Sequence, residues 1–185
     1  VIFAAGNDGQ DYRSFPGAYP PVIAVSSMGP GWKAAPYTNR GDWVDIMAPG
    51  GDERYTNGGV LSTLSKKIMG TQEYGYMQGT SMACPHVSGV AALLVSQFAK
   101  QGFTNKECEI RLLGSKNKDI DAENPNYKTR LGRGYIDASA LFATNTGIKP
   151  GAITDVKVDN ISFTTADVSW TGVEAQGGKP LEYRF

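Results

Sequence analysis

Apolar positions in this chain fall into short unbroken runs, then one long helical stripe, then a closing stretch that alternates residue by residue. Val1-Ile2-Phe3-Ala4-Ala5 is continuous apolar sequence and predicts a strand buried on both faces, stopped by the polar turn Gly6-Asn7-Asp8-Gly9. Such a turn at a strand's C-terminal end is where α/β folds place ligands. A proline and glycine turn starting at Phe15-Pro16-Gly17 feeds a second buried strand, Val22-Ile23-Ala24-Val25. Trp43-Val44-Asp45-Ile46-Met47 predicts a third, running into Ala48-Pro49-Gly50-Gly51. Residues 58–64 form a further short strand, and Tyr74-Gly75-Tyr76-Met77-Gln78 is extended chain.

From Val87, the positions Val90, Ala91, Leu94, Val95 and Phe98 follow a helical stripe. Gly89, Ala92 and Leu93 widen it until the helix is apolar nearly all round, the pattern of a core helix. Gly102 predicts its stop. Thr104-Asn105-Lys106-Glu107 is a capping box that opens another helix through Leu113, and Asp137 caps a last short one over 138–143. The rhythm changes at Thr146-Gly147-Ile148-Lys149-Pro150-Gly151, which reads as a linker. Beyond it Val156 and Val158, then Ala166-Asp167-Val168-Ser169-Trp170, then Leu181-Glu182-Tyr183-Arg184-Phe185 alternate with the period of antiparallel strands.

Composition narrows the function classes. Of 185 residues, 41% are apolar and 19% charged, enough to bury a core and too apolar for wholesale disorder. Lysine plus arginine equals aspartate plus glutamate at 18 each, so no net field recruits nucleic acid or an anionic membrane. No uninterrupted apolar run reaches the roughly 20 residues that span a bilayer. Val1 to Ala5 is too short and uncharged for a secretory signal, so the chain is expected to start inside a longer protein. The two cysteines, Cys84 and Cys108, are expected to be unpaired, Cys84 as a small buried residue one turn after Ser81.

The candidate chemistry lies in Gly79-Thr80-Ser81-Met82-Ala83-Cys84-Pro85-His86-Val87-Ser88-Gly89, where a small-residue turn delivers a serine into an apolar helix. Unpaired N–H groups and the positive end of the macrodipole favour negative charge there, which suits a nucleophile whose attack creates an oxyanion. The plainer reading is a capped buried helix, with Thr80 or Ser81 as cap and Pro85 in the first turn. The full eleven-residue string resembles the nucleophile motif of the subtilisin-like serine proteases. Ala83 stands where an α/β-hydrolase elbow carries glycine, which separates it from that motif.

The resemblance implies a fold and a mechanism. The fold is α/β: part of a subtilisin-like three-layer αβα sandwich with a mostly parallel sheet over residues 1–147. Residues 148–185 resemble the start of a fibronectin type III-like β-sandwich. Ser81 would be the acylated nucleophile, and Asn7 in Ala4-Ala5-Gly6-Asn7 the side-chain donor to the oxyanion. Such a donor is worth about 3 to 4 kcal/mol of barrier, a magnitude set by a subtilisin itself. Ala4, Ala5, Gly6, Ser14, Gly79 and Thr80 would line the substrate site. The Gly17, Tyr19 and Val22 carbonyls would hold a structural calcium or monovalent cation, with no cofactor required. Ala48-Pro49-Gly50 and Gly132-Arg133-Gly134-Tyr135-Ile136-Asp137 resemble structural blocks of the family, and Asp45 is a hydrogen-bonded strand residue rather than the catalytic carboxylate.

The lone histidine, His86, lies about 140° round the helix from Ser81 at roughly 100° per residue, so it cannot face the hydroxyl; the resemblance implies a structural part for it. Subtilisin-like chains run Asp, His, Ser, so both partners are expected upstream, in an N-terminal portion of the same protease. The 185 residues alone are expected to be inactive, with strand 1–5 pairing outside this chain. Peroxide oxidation of Met82 is expected to slow the intact enzyme. The substrate would be a polypeptide and the location secreted or cell-surface. The alternative is a pseudoenzyme on the protease scaffold or a cell-surface binding module; a serine hydrolase of another fold is disfavoured by Ala83.

Overall fold

The computed structural model describes residues 1–71, 73–99, 102–114, 120–142, 157–160 and 167–169. The chain divides into two compact units, Val1–Phe142 and Ala143–Phe185.

The first unit is built on a parallel sheet. Strands β1 (Ile2–Ala4), β2 (Ile23–Met28) and β3 (Ile46–Pro49) lie in that order, with Ala4 opposite Val25 and Val25 opposite Ile46. Alternation along the strands divides the core. Val25, Ile46 and Ala48 face helix α2 (Thr80–Phe98) and its Ala83, Val87 and Leu94. Met28 and Met47 pack on the other side against Ile120, Leu131 and Tyr135, while Ala24 joins Ala5, Ala18, Trp43 and Val44. Among the described residues this second face is covered by loops, the one-turn helix α4 (Ile120–Glu123) and a 3-10 turn at Pro125–Tyr127. Helix α3 (Asn105–Gly114) packs on α2 through Leu112 and Leu113, with Cys84 and Cys108 in the same cluster.

A separate antiparallel hairpin of β4 (Val60–Thr63) and β5 (Tyr74–Met77) pairs Val60 with Met77 and leads straight into Gly79. A short helix, α1 (Lys66–Met69), sits between its strands. Thr104 Oγ1 accepts the Glu107 N–H at 3.2 Å, which is one half of the expected capping box, while the Glu107 carboxylate pairs with Arg111; Asp137 Oδ1 accepts the Ser139 and Ala140 N–H groups at 2.8 and 3.1 Å to open α5 (Ala138–Phe142). Helix α2 ends at Phe98 with Ala99 as its C-cap, ahead of Gly102, the expected stop, which adopts φ +72°.

Four expectations change. The strand near the N-terminus is not buried on both faces, because it is the edge of the sheet: Phe3 is 40% and Val1 85% exposed. The third strand begins at Ile46, since Trp43 and Val44 are buried in the preceding loop, where the Val44 N–H bonds the Gly41 carbonyl at 3.2 Å. Helix α2 is not enclosed. It buries the stripe Thr80, Ala83, Val87 and Leu94, leaving Leu93 54% and Val95 47% exposed. By length and composition α2 could also cross a bilayer, although no uninterrupted apolar run is that long; its buried stripe lies on the sheet. Pro85 sits inside this helix rather than in its first turn.

In the second unit β6 (Lys157–Asp159) and β7 (Asp167–Ser169) pair antiparallel, Val158 opposite Val168. The linker at 146–151 and the strand expected at 181–185 lie outside the described residues.

Candidate active site

Two segments far apart in sequence meet where β1 ends and α2 begins. The N-cap of α2 is Gly79, at φ +149° and ψ +160°, with no side-chain cap from Thr80 or Ser81. The capping group comes instead from Asn7. Its Oδ1 accepts the Thr80 backbone N–H at 2.9 Å and the Thr80 hydroxyl at 2.8 Å, and the same hydroxyl oxygen accepts the Gly6 N–H at 3.1 Å. A backbone N–H can only donate, so the atom facing it must be the amide oxygen, and Nδ2 is thereby turned away from the cap.

Where Nδ2 goes is set by Gly79. A Cβ at that glycine would lie 3.5 Å from Asn7 Nδ2 and 3.7 Å from both the Ser81 nitrogen and the Met82 sulfur. Because the residue is glycine, this volume is open and bordered by two nitrogen donors. The Ser81 N–H is one of the orphan donors of a helix's first turn and has no hydrogen-bond partner among the described residues. Ser81 itself is exposed.

The turn is held by tertiary contacts. The Gly79 N–H donates to the Gly50 carbonyl at 2.8 Å. The Tyr37 hydroxyl lies 2.9 Å from that carbonyl oxygen, 2.6 Å from that of Gly51 and 2.8 Å from Ser27 Oγ; burial pushes its pKa above the ordinary tyrosine value. On the other side, fully buried Asn39 ties down the loop that carries Asn7. Its Oδ1 accepts the Asp8 N–H at 2.9 Å and the Gln10 N–H at 3.2 Å, and its Nδ2 donates to the Ala5 carbonyl and to Asp8 Oδ2, both at 3.1 Å. The Tyr12 hydroxyl first, and the Asn39 amide second, hold the Asp8 carboxyl below its usual range. Tyr37 and Asn39 carry no motif of their own. Their only sequence signal is a polar stretch, Thr38-Asn39-Arg40-Gly41, followed by a strand.

Of the other candidates, Ala5 faces inward: its methyl is in the core, its N–H donates to the Val25 carbonyl at 2.9 Å and its carbonyl is taken by Asn39. Ala4 and Gly6 are half-buried, and Ser14 Oγ lies 3.5 Å from where a Gly6 Cβ would be. The turn of Ser14, Gly17 and Tyr19 thus packs against the end of β1, a Cβ on Gly17 falling 3.2 Å from the Ala4 carbonyl oxygen. Of the three carbonyls considered for a cation, that of Tyr19 already accepts the Val22 N–H at 2.9 Å, leaving one lone pair. Asp45 is half-buried and accepts the Ala24 N–H at 2.8 Å, and burial raises its pKa; it is hydrogen-bonded to the sheet as expected, but it sits just before β3 rather than in a strand. Cys84 and Cys108 are free thiols whose pKa values burial pushes up, which leaves them poor nucleophiles. His86 bonds back to its own helix, Nδ1 to the Met82 carbonyl at 2.8 Å, and is not turned toward Ser81.

Comparison with known proteins gives one consistent result. The profile of the Subtilase family matches residues 1–137. The chain is 37% identical over 143 residues to the extracellular basic protease of Dichelobacter nodosus, covering 76% of this chain and 22% of that protein. It is also 37% identical over 147 residues to halolysin of Haloferax mediterranei, covering 80% and 25%. Among solved structures, a protease of Pseudoalteromonas arctica is similar at 39% identity and a TM-score of 0.63, over 76% of this chain and 41% of that one. The chain therefore spans about a quarter of the length of these curated relatives.

Proposed function

The chain belongs to the Subtilase family, and from that premise we propose that it carries the nucleophile and oxyanion hole of a secreted serine endopeptidase. The observation that carries this reading is the lock on Asn7. With Oδ1 taken by Thr80, Nδ2 and the Ser81 N–H are left as two donors on one open volume beside the serine.

The chemistry is acyl transfer. Ser81 Oγ forms a bond to the carbonyl carbon of a peptide and gives its proton to an imidazole. The carbonyl oxygen takes the negative charge and accepts from Asn7 Nδ2 and the Ser81 N–H. The C–N bond then breaks, the imidazolium protonates the departing amine, and water releases the acyl group by the reverse sequence. The imidazole cannot be that of His86, which is bonded to Met82. We place the histidine and its orienting aspartate in a preceding part of the same protease, which would also cover β1 and the exposed face of α2. The coverage of relatives supports this, as does the exposure of Phe3, Leu93 and Val95.

Secretion is supported by the extracellular relative, and a fibronectin-like module after the linker by the antiparallel pairing of β6 and β7. Calcium or a monovalent cation on the Gly17, Tyr19 and Val22 carbonyls would stiffen the turn beside Ser14, without entering the reaction.

A fluorophosphonate probe on the full-length parent tests the reading. Labelling at Ser81 that disappears in Ser81→Ala is expected, together with no Ser81-dependent turnover by the 185-residue chain alone. A parent that folds and resists the probe would instead be a pseudoenzyme or binding scaffold. Turnover by the isolated chain would overturn the assignment of the base to another segment.

A further inference from the structure

We propose that Asn39 is a positioning residue for Asn7: it fixes the backbone on both sides of the oxyanion donor, and turnover depends on it through Asn7. The inference rests on the reading of Ser81 and Asn7 given above.

The geometry is a clamp. The Asn39 backbone N–H donates to the Gly6 carbonyl at 2.9 Å, and its side chain bonds the Ala5 carbonyl, the Asp8 N–H and carboxylate, and the Gln10 N–H. Residues 5, 6, 8 and 10 are all held, and Asn7 is the residue they enclose. A primary amide is required, since it supplies two donors and a two-bond acceptor on one short stem. Gly6 makes the approach feasible: it adopts φ +103°, and a Cβ there would collide with Asn39 Nδ2. The far end of Asn7 is pinned independently by Thr80. Neither side-chain nor backbone bonds of Asn39 reach Gly79 or Ser81; the Gly79 N–H is anchored by the Gly50 carbonyl. Loss of Asn39 thus loosens one oxyanion donor and leaves the other in place.

The expected kinetic signature follows. A donor that acts on charge present only in the transition state affects kcat and not KM. Removing such a donor outright costs about 10²- to 10³-fold, the subtilisin value, so loosening it in Asn39→Ala should lower kcat about tenfold with KM within about twofold. The test is a double-mutant cycle in the full-length parent: wild type, Asn39→Ala, Asn7→Ala and both together, each measured for kcat and KM on a peptide substrate. In the Asn7→Ala background, Asn39→Ala should cost less than about twofold. A loss that persists there, or that appears in KM, overturns the proposal.

Backbone hydrogen exchange on the same variants reads the clamp without turnover. The Asp8 and Gln10 amides should lose protection in Asn39→Ala and keep it in Asn7→Ala. Unchanged protection in Asn39→Ala refutes the clamp even if Ser81 proves to be the nucleophile. If instead Ser81→Ala leaves turnover intact, the enzymatic reading fails while the exchange result still decides the clamp. Should Asn39→Ala fail to fold, Asn39→Asp replaces it in the kinetic cycle, where an unchanged kcat overturns the proposal. That variant keeps the acceptor for Asp8 and Gln10, loses both donated bonds, and sets a second carboxylate beside that of Asp8.

Discussion

Gly50→Ala should disable this protein although the residue is neither catalytic nor in an unusual conformation. Its φ lies in the range open to any L-residue, so backbone strain contributes nothing; the cost is space. A Cβ would overlap Ser27 Oγ, sit 2.9 Å from Ser27 Cβ and lie 2.6 Å from the carbonyl oxygen of Gly79. Ser27 is fully buried and bonded to Tyr37, so it has no free rotamer to retreat to, and the Gly79 carbonyl belongs to the backbone of the nucleophile turn. Overpacking of this kind costs about 3 kcal/mol. At roughly 2 to 4 °C per kcal/mol for a domain of this size, the full-length parent should melt about 6 to 12 °C lower.

Relief must come from shifting Gly79, which carries Asn7 Nδ2 and the Ser81 N–H out of register. Misplacement by about 1 Å costs on the order of 10²-fold, so the fluorophosphonate labelling rate should drop at least about tenfold at a temperature where the variant remains folded. Gly31→Ala is the matched control. It has φ +71° and nothing within 4 Å, so it should cost about 1 kcal/mol of strain and leave labelling unchanged. If Gly50→Ala melts within about 1 °C of wild type and labels at the same rate, the contact argument is wrong.

Two further outcomes are expected. Peroxide should slow the intact enzyme by oxidising Met82, whose sulfur borders the volume beside Gly79; progress curves for Met82→Ala should be insensitive to the same treatment, and equal sensitivity would refute this. Asp52, whose side chain is 3% exposed, is held below the usual carboxylate range chiefly by the Arg54 guanidinium, through bonds at 2.7 and 2.9 Å. A depressed folded pKa gives stability that is present above the unfolded value and lost as pH falls through the folded one. Asp52→Asn should therefore cost about 1 to 2 kcal/mol near neutral pH, and urea unfolding should show the difference shrinking as pH drops below the carboxylate range; a constant difference would sink the assignment.

What could be read from the sequence was what local pattern encodes. The capping roles of Thr104 and Asp137 each depend on residues within a few positions. Burial of the long helix was misread because periodicity reports which residues are apolar, not which of them meet the sheet; only the stripe from Thr80 to Leu94 does. The start of β3 was misread because Trp43 and Val44, both strand-like in composition, are drawn into a loop by packing against Ala5, Ala18 and Ala24. Asn39 and Tyr37 were silent because their partners lie 10 to 34 positions away, and no spacing rule spans such distances; Gly50 stood out only as part of a structural block, without its partner Gly79. Local pattern offers only Thr80 or Ser81 as the cap on α2, whereas Asn7 reaches it from 73 positions upstream.

On the proposed reading, that remote cap bears on how selective the full-length protease can be. Since the amide of Asn7 is oriented by the end of a helix and not by contact with a peptide, its alignment exists before any substrate arrives. Good and poor sequences should then receive the same help once their carbonyl reaches Ser81. Discrimination among them must come from walls elsewhere, and changes to those walls should alter preference while leaving this common acceleration untouched.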